Sequence, residues 1–154
     1  PIGVRHAYLA LGKTYGFPMV HEGPVFSDFK IEGKEIRLNF TSTGSGLTGG
    51  SDKPIDSFAI AGKDRQWYWA NAKIQGGSIV ISSPKVSKPV SARYAWAMNP
   101  SQRNLLYNQE GFPASPFRTD DWPLYDPKAE LIEVTKPEKP KGYEAKDWSR
   151  PVIK

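Results

Sequence analysis

Two histidines, His6 and His21, are available in this chain to serve a serine nucleophile as its base. An activated serine needs such a base within hydrogen-bond reach, and donors for the oxyanion that forms on attack. His6 follows Arg5 in a segment that reads as helix, and His21 lies in a linker running from Phe17 to Gly23. Both read as exposed or hydrogen-bonded structural histidines, and no Gly-x-Ser-x-Gly elbow supplies the serine. No catalytic residue is therefore assigned within the chain. Metal chemistry fares no better: two distant histidines, no cysteine and the pair Asp120-Asp121 have no recognised ligand spacing, so neither a metal nor a cofactor is expected. The loop Gly44 to Pro54, GSGLTGGSDKP, looks superficially like a phosphate cradle. Its Lys53, between Asp52 and Pro54, lacks the Gly-Lys-Ser/Thr helix opening that such a site needs, so it reads as a flexible turn between strands.

The densest set of specific polar groups lies from Asn104 to Trp122, NLLYNQEGFPASPFRTDDW. Asn104, Tyr107, Asn108, Arg118, Asp120 and Asp121 carry donors and acceptors, and Pro113 and Pro116 stiffen the path between them. The stretch shows neither helix period nor strand alternation. Loops of this length are usually functional or disordered, and Leu105, Leu106, Tyr107, Phe112, Phe117 and Trp122 carry more apolar surface than disorder allows. An ordered loop is expected, with Asn104, Tyr107, Asn108, Arg118 and Asp120 as candidates for a domain seam or a substrate wall. In that reading Arg118 makes a bidentate carboxylate or backbone contact, and Asp120 holds its guanidinium or caps the turn.

Together with the preceding RYAWAMNP (Arg93 to Pro100), this stretch resembles the C-terminal region of sialate O-acetylesterases, carbohydrate deacetylases of the SGNH-hydrolase type. FAIAGKDRQWYWANAKI and the opening PIGVRHAYLALGKTYG extend the resemblance over roughly Pro1 to Trp122. Phe112 stands where the family usually has Leu, and one extra Leu lengthens the family's Asn-Leu-Tyr-Asn core. The family's Gly-Gln-Ser-Asn serine context is absent, and Gly50-Ser51-Asp52 reverses the Gly-Asp-Ser order of SGNH hydrolases. The resemblance implies that Pro1 falls just after the family's Asp-x-x-His-Pro motif, so the catalytic Ser/His/Asp would lie outside this chain. It implies a parent enzyme that removes acetyl groups from sugar hydroxyls, either on sialic acid or on plant cell-wall glycans, by serine acyl transfer, with an acetylated carbohydrate and the catalytic SGNH domain as partners. A secreted or periplasmic location is implied by the resemblance alone. The competing reading is a stand-alone carbohydrate-binding module; an Ig-like adhesion domain is a third.

Trp67 and Trp69 are the candidate sugar-stacking residues of the competing reading. They sit two apart on one strand face, with Tyr68 on the other. A sandwich buries one face of each strand, so the Trp67/Trp69 face is expected in the core and Tyr68 is expected to be the more exposed ring. An esterase accessory domain predicts both rings buried, whereas a sugar-binding module predicts Trp67 or Trp69 exposed to solvent.

These groups must be held by a fold that 154 residues can build as one domain, burying roughly 70% of the unfolded surface. Five Trp, seven Tyr and seven Phe supply a core, and 14 Gly and 14 Pro punctuate short apolar runs, which favours an all-β body. Val4, Tyr8, Leu11 and Tyr15 predict one helix over residues 2–15, ended by Gly16 and Pro18. Strands are predicted at Val25 to Glu32, Glu35 to Ser42, Phe58 to Gly62, Gln66 to Ile74, Ser78 to Ser83, Val90 to Met98 and Leu131 to Val134. Gly33-Lys34 and Gly76-Gly77 mark hairpin turns. The expected architecture is mainly β: a sandwich, Ig-like or jelly-roll-like, preceded by one α-helix that the resemblance assigns to an SGNH catalytic domain. The expected organisation is a terminal helix and linker over 1–22, the sandwich over 23–135 and a Pro/Lys-rich tail over 136–154. The net charge of +5 is scattered and no recognition motif accompanies it, so nucleic acid is not an expected partner. No apolar run approaches 18 residues, so no membrane insertion is expected. Asn39-Phe40-Thr41 matches a glycosylation sequon, which bears only on a eukaryotic secreted protein.

Overall fold

A computed structural model describes residues 2–51, 54–97, 100 and 104–123. Pro1–Trp122 forms one compact unit and Pro123–Lys154 a second; the helix and all the strands described belong to the first. The expected strand at Leu131 to Val134 and the tail from 136 lie outside the described residues.

The chain opens with helix α1 (Ile2–Leu9), which widens into a π-helical turn at Ala10–Thr14. Gly16 ends it at φ +71°, a left-handed conformation in which a Cβ would be strained. Its apolar stripe stays largely in solvent, and Tyr8 and Phe112 form a T-shaped pair with centroids 5.5 Å apart.

The body is a sandwich of antiparallel sheets. The first sheet has the order β1 (Val25–Glu32), β2 (Glu35–Thr41), β7 (Ser78–Ser82), β6 (Asn71–Gln75). The second runs β10 (Phe117–Arg118), β8 (Pro89–Tyr94), β4 (Phe58–Gly62), β5 (Trp67–Trp69). A two-stranded ribbon joins β3 (Leu47–Gly49) to β9 (Leu106–Asn108). The predicted hairpins form as two-residue turns: Glu32 pairs with Glu35 around Gly33, and Gln75 with Ser78 around Gly76, both glycines at positive φ.

Alternation along the strands sends Ile36, Leu38, Ile79 and Ile81 inward to meet Phe58, Ile60, Ala92 and Tyr94. Each fully buried aliphatic side chain among them contributes about 1.5–3 kcal/mol. Phe26, Phe40 and Phe117 close one end; Phe26 and Phe117 stack with centroids 4.3 Å apart and planes 6° from parallel.

The structure corrects four sequence expectations. The predicted strand Gln66 to Ile74 is two strands in different sheets, because the chain crosses at Ala70, whose amide still donates to Phe58 O (3.0 Å). The predicted strand Val90 to Met98 ends at Tyr94; Ala95 takes φ +48° and donates to Ser57 O (2.8 Å), turning the chain out of the sheet. The loop Gly44 to Pro54 is not merely a flexible turn, since Leu47–Gly49 pairs with β9. The Asn104 to Trp122 stretch likewise contains β9 and β10, both too short to produce a legible alternation.

Candidate functional site

The 104–122 loop is fixed to its own sandwich by its buried polar groups. Asn104 donates from Nδ2 to Pro54 O (3.0 Å), and its backbone carbonyl accepts from the Asp56 amide (2.8 Å). Asn108, fully buried, donates from Nδ2 to Glu22 O and accepts the Phe112 amide at Oδ1 (3.0 and 2.9 Å). That pair closes a turn completed by Gly111 at φ +83°. Buried amides need such partners, so the side chain of Asn108 ties the turn to the linker that leads from the helix. Gly23 lies against the carbonyls of Pro113 and Phe112, with no room for a Cβ. Tyr107 is half-buried on β9, paired across to Thr48 and bridged to Pro113.

Asp120 and Arg118 lie on the outer side of the second sheet, with a partner that sequence reasoning missed. Arg93 donates from Nε to Asp120 Oδ2 (2.8 Å) and from Nη2 to Asp120 Oδ1 (2.7 Å), a bidentate pair with the carboxylate wholly buried. Burial alone would push the Asp120 carboxyl up, but the hydrogen bonds and charge of Arg93, with Arg118, hold it below its ordinary range. Arg118 makes its hydrogen bond to a backbone group, from Nη1 to Trp122 O (3.0 Å), and stands 3.8 Å from Asp120 Oδ1. Thr119 fixes the approach of this segment to β8: its amide donates to Ala92 O, and its hydroxyl accepts the Ala92 amide.

Rings sandwich these charges. The Arg93 guanidinium lies 4.1 Å from the Trp67 ring centroid, Trp67 meets Trp122 edge-on at 5.5 Å, and Arg65 stands 5.4 Å from Trp122. Arg118 stands 5.5 Å from the Trp96 ring. Such cation–π contacts are worth about 0.5–2 kcal/mol each, more as they lose water. The expectation that Trp67 and Trp69 face the core is overturned. Tyr68 shares a register row with Ile60 and packs against the core, whereas Trp67 and Trp69 point outward and Trp69 is 50% exposed. The cause is register: Ile60, and so its partner Tyr68, belongs to the inward set of β4. The signal available in the sequence was Arg93 within RYAW, a strand arginine that needs a partner on the outer face.

A second polar cluster joins the helix to the sandwich. Lys13 Nζ lies 2.7 Å from Glu22 Oε2, and Ser42 Oγ donates to Glu22 Oε1 (2.6 Å). These hydrogen bonds, the one from Lys13 foremost, hold the Glu22 carboxyl below its ordinary range, which makes it a weak base toward Ser42. His21 engages Met19 O through Nδ1 (3.0 Å) and lies against Gly12. His6 is exposed on α1. Among the described residues no group of three or more His, Cys, Asp or Glu could hold a metal ion.

No protein-family model matches the sequence, and no curated protein matches it. Among solved structures, a carbohydrate acetylesterase from Xanthomonas citri matches with 37% identity and a TM-score of 0.75. The chain is similar to part of a carbohydrate acetylesterase. The match covers 79% of this chain and 28% of that one, so the chain spans just over a quarter of the acetylesterase it matches. The likeness therefore covers a portion of an esterase of this kind, compatible with an accessory region.

Proposed function

We propose that this chain is the C-terminal accessory region of a carbohydrate O-acetylesterase, of the sialate type within the SGNH hydrolases, whose Ser/His/Asp lie outside these 154 residues. The observation that carries this reading is the 37% identity to a carbohydrate acetylesterase over 79% of the chain. Ser42 donates to a Glu22 carboxylate that Lys13 also holds, and Ser45 donates to Glu110, each at 2.6 Å. The helix-to-loop region supports a seam with the catalytic domain. Val4, Leu11, Tyr15 and Phe17 are exposed beside the Tyr8–Phe112 contact, and apolar surface of this kind is characteristic of an interface. Asn108 and Gly23 hold the loop to the linker behind that surface, and of the five loop candidates Tyr107 and Arg118 are the two that are not buried.

The mechanism assigned to the parent is serine attack on the acetyl carbonyl, collapse to an acetyl-enzyme and hydrolysis by water. The role of this chain in it is positional. Holding a wall of the active site contributes to turnover by orientation, without any of its groups touching the reacting atoms. The test compares the 154-residue chain with the protein encoded together with the DNA upstream of Pro1, on O-acetylated sialic acid, acetylated xylan and nitrophenyl acetate. The short chain is expected to be inert and the longer one active, with Arg118→Ala lowering turnover in the longer one. Turnover by the short chain that a serine-directed inhibitor abolishes would reject the reading. Release of acetate from acetylated xylan but not from the sialate would remove the sialate assignment alone.

A further inference from the structure

The two four-stranded sheets end in the edge strands β1, β6, β10 and β5, of eight, five, two and three residues. A long edge strand offers unpaired N–H and C=O groups to another strand, and natural edges are blunted by shortness, proline, bulges or charge. β1 is long, holds no proline and carries no charge on its inward side. Phe26, Phe29 and Ile31 pair with Phe40, Leu38 and Ile36, so all three lie on the core side of the sheet. Phe117 of the two-residue β10 covers Phe26, but Phe29 and Ile31 stay 37% and 46% exposed. Their backbone groups face outward as well. Hydrogen-bonded and non-hydrogen-bonded pairs alternate from the hairpin's closing pair, Glu32–Glu35, so Phe29 and Ile31 turn their N–H and C=O to the free edge. A bulge at Ser27 leaves Asp28 to Glu32 as the regular stretch.

We propose that this edge pairs with β1 of a second copy of the chain, antiparallel about a twofold axis at Phe29, joining the two first sheets into one. The occupant is chosen by charge. Asp28, Lys30 and Glu32 alternate with the apolar residues and share the outward face. With Phe29 opposite its own copy, Asp28 stands opposite the partner's Lys30, and Lys30 opposite the partner's Asp28. One strand thus supplies both halves of two ion pairs. An axis at Lys30 would instead set Lys30 against itself and Asp28 against the partner's Glu32, so the charges select a single register. Neither side chain is neutralised within its own copy. Asp28 takes hydrogen bonds from the neutral Asn39 and Ser27, and Lys30 forms no ion pair among the described residues, Glu32 being held by Arg37. On the inward face the two Phe29 rings meet and continue the apolar layer across the joint, while the Phe29 amides and carbonyls exchange the central hydrogen bonds. The pairing engages few residues, so the dimer forms with rising concentration and is not permanent. It does not depend on the esterase reading.

The test is sedimentation equilibrium of the 154-residue chain at low salt, from about 10 μM to about 1 mM, where a monomer–dimer equilibrium is expected. Asp28→Lys and Lys30→Asp each set like charges in both pairs and should weaken association by about tenfold or more. An equimolar mixture of the two variants restores opposite charges at both pairs, so it should dimerise where neither variant does alone. The double variant Asp28→Lys/Lys30→Asp should dimerise as the parent does, which separates the charge effect from any loss of fold. Lys73→Glu, on the edge strand β6 of the same sheet, should leave the equilibrium unaltered. A monomer over the whole range would overturn the proposal. So would a dimer indifferent to both single reversals, or a mixture and a double variant that both stay monomeric.

Discussion

The backbone amide of Leu106 donates a buried hydrogen bond to the phenolic oxygen of Tyr94, at 2.8 Å. Tyr94 is only 1% exposed, and its ring packs between Phe58 and Phe117. Desolvation pushes the phenol up to about 12, which favours the neutral hydroxyl that accepts this bond. The contact joins the end of β8 to the start of β9, across the 95–105 connection. It anchors the site-bearing loop to the core.

Replacing Tyr94 by Phe keeps the ring and strands the Leu106 amide. The expected cost is about 1–3 kcal/mol, the penalty of an unsatisfied buried donor. Urea unfolding measures it, and hydrogen exchange at Leu106 should accelerate by more than at Ile36. Unaltered stability would show that the amide finds another acceptor.

Asp120→Asn leaves Arg93 beside a neutral amide. Breaking a buried pair on one side costs about 3–5 kcal/mol when both partners are dry; Arg93 keeps some solvent, so about 2–3 kcal/mol is expected. The indole emission of Trp67 and Trp122 should shift as the Arg93 guanidinium leaves its place. A melting temperature equal to the parent's would mean that the pair contributes no more than a surface ion pair does.

The same carboxylate gives a pH dependence with a definite sign. Its folded value lies below the ordinary 3.8, so the folded state binds fewer protons than the unfolded one near that pH. The stabilisation is complete above the ordinary value and is lost as pH falls through the lowered one. Stability measured from pH 6 to pH 2 should fall more steeply for the parent than for Asp120→Asn. Parallel curves would contradict this.

Gly23→Ala tests the joint between linker and loop. The added methyl meets two backbone carbonyls, Pro113 O and Phe112 O, which cannot swing aside as a side chain can. A loss of about 1–3 kcal/mol is expected, the usual cost of overpacking. Gly3→Ala, where a Cβ meets nothing within 4 Å, serves as the tolerant control.

Much of this architecture was readable from periodicity. The β1–β2 hairpin follows from alternation around Gly33-Lys34, and the helix from a stripe closed by Gly16; both are local signals. The outward turn of Trp67 and Trp69 was not readable, because ring size suggests burial, whereas the face of β5 is set by its pairing with Ile60 on another strand. Arg93 escaped notice for a similar reason. Inside RYAW it looks like one more strand residue, and its importance comes from Asp120, 27 positions away. That the loop asparagines needed specific partners was legible; which carbonyls they would reach was not, since Pro54 and Glu22 are distant in sequence.

The crossing at Ala70 has a consequence for how the sandwich comes apart. One residue separates β5, paired into the second sheet, from β6, paired into the first. A strand torn from either sheet drags its neighbour out of the other within a few ångströms of extension. The two layers therefore share one opening event, and slow-exchanging amides of Ile60 and Ile79, on opposite sheets, should report a single free energy of exposure.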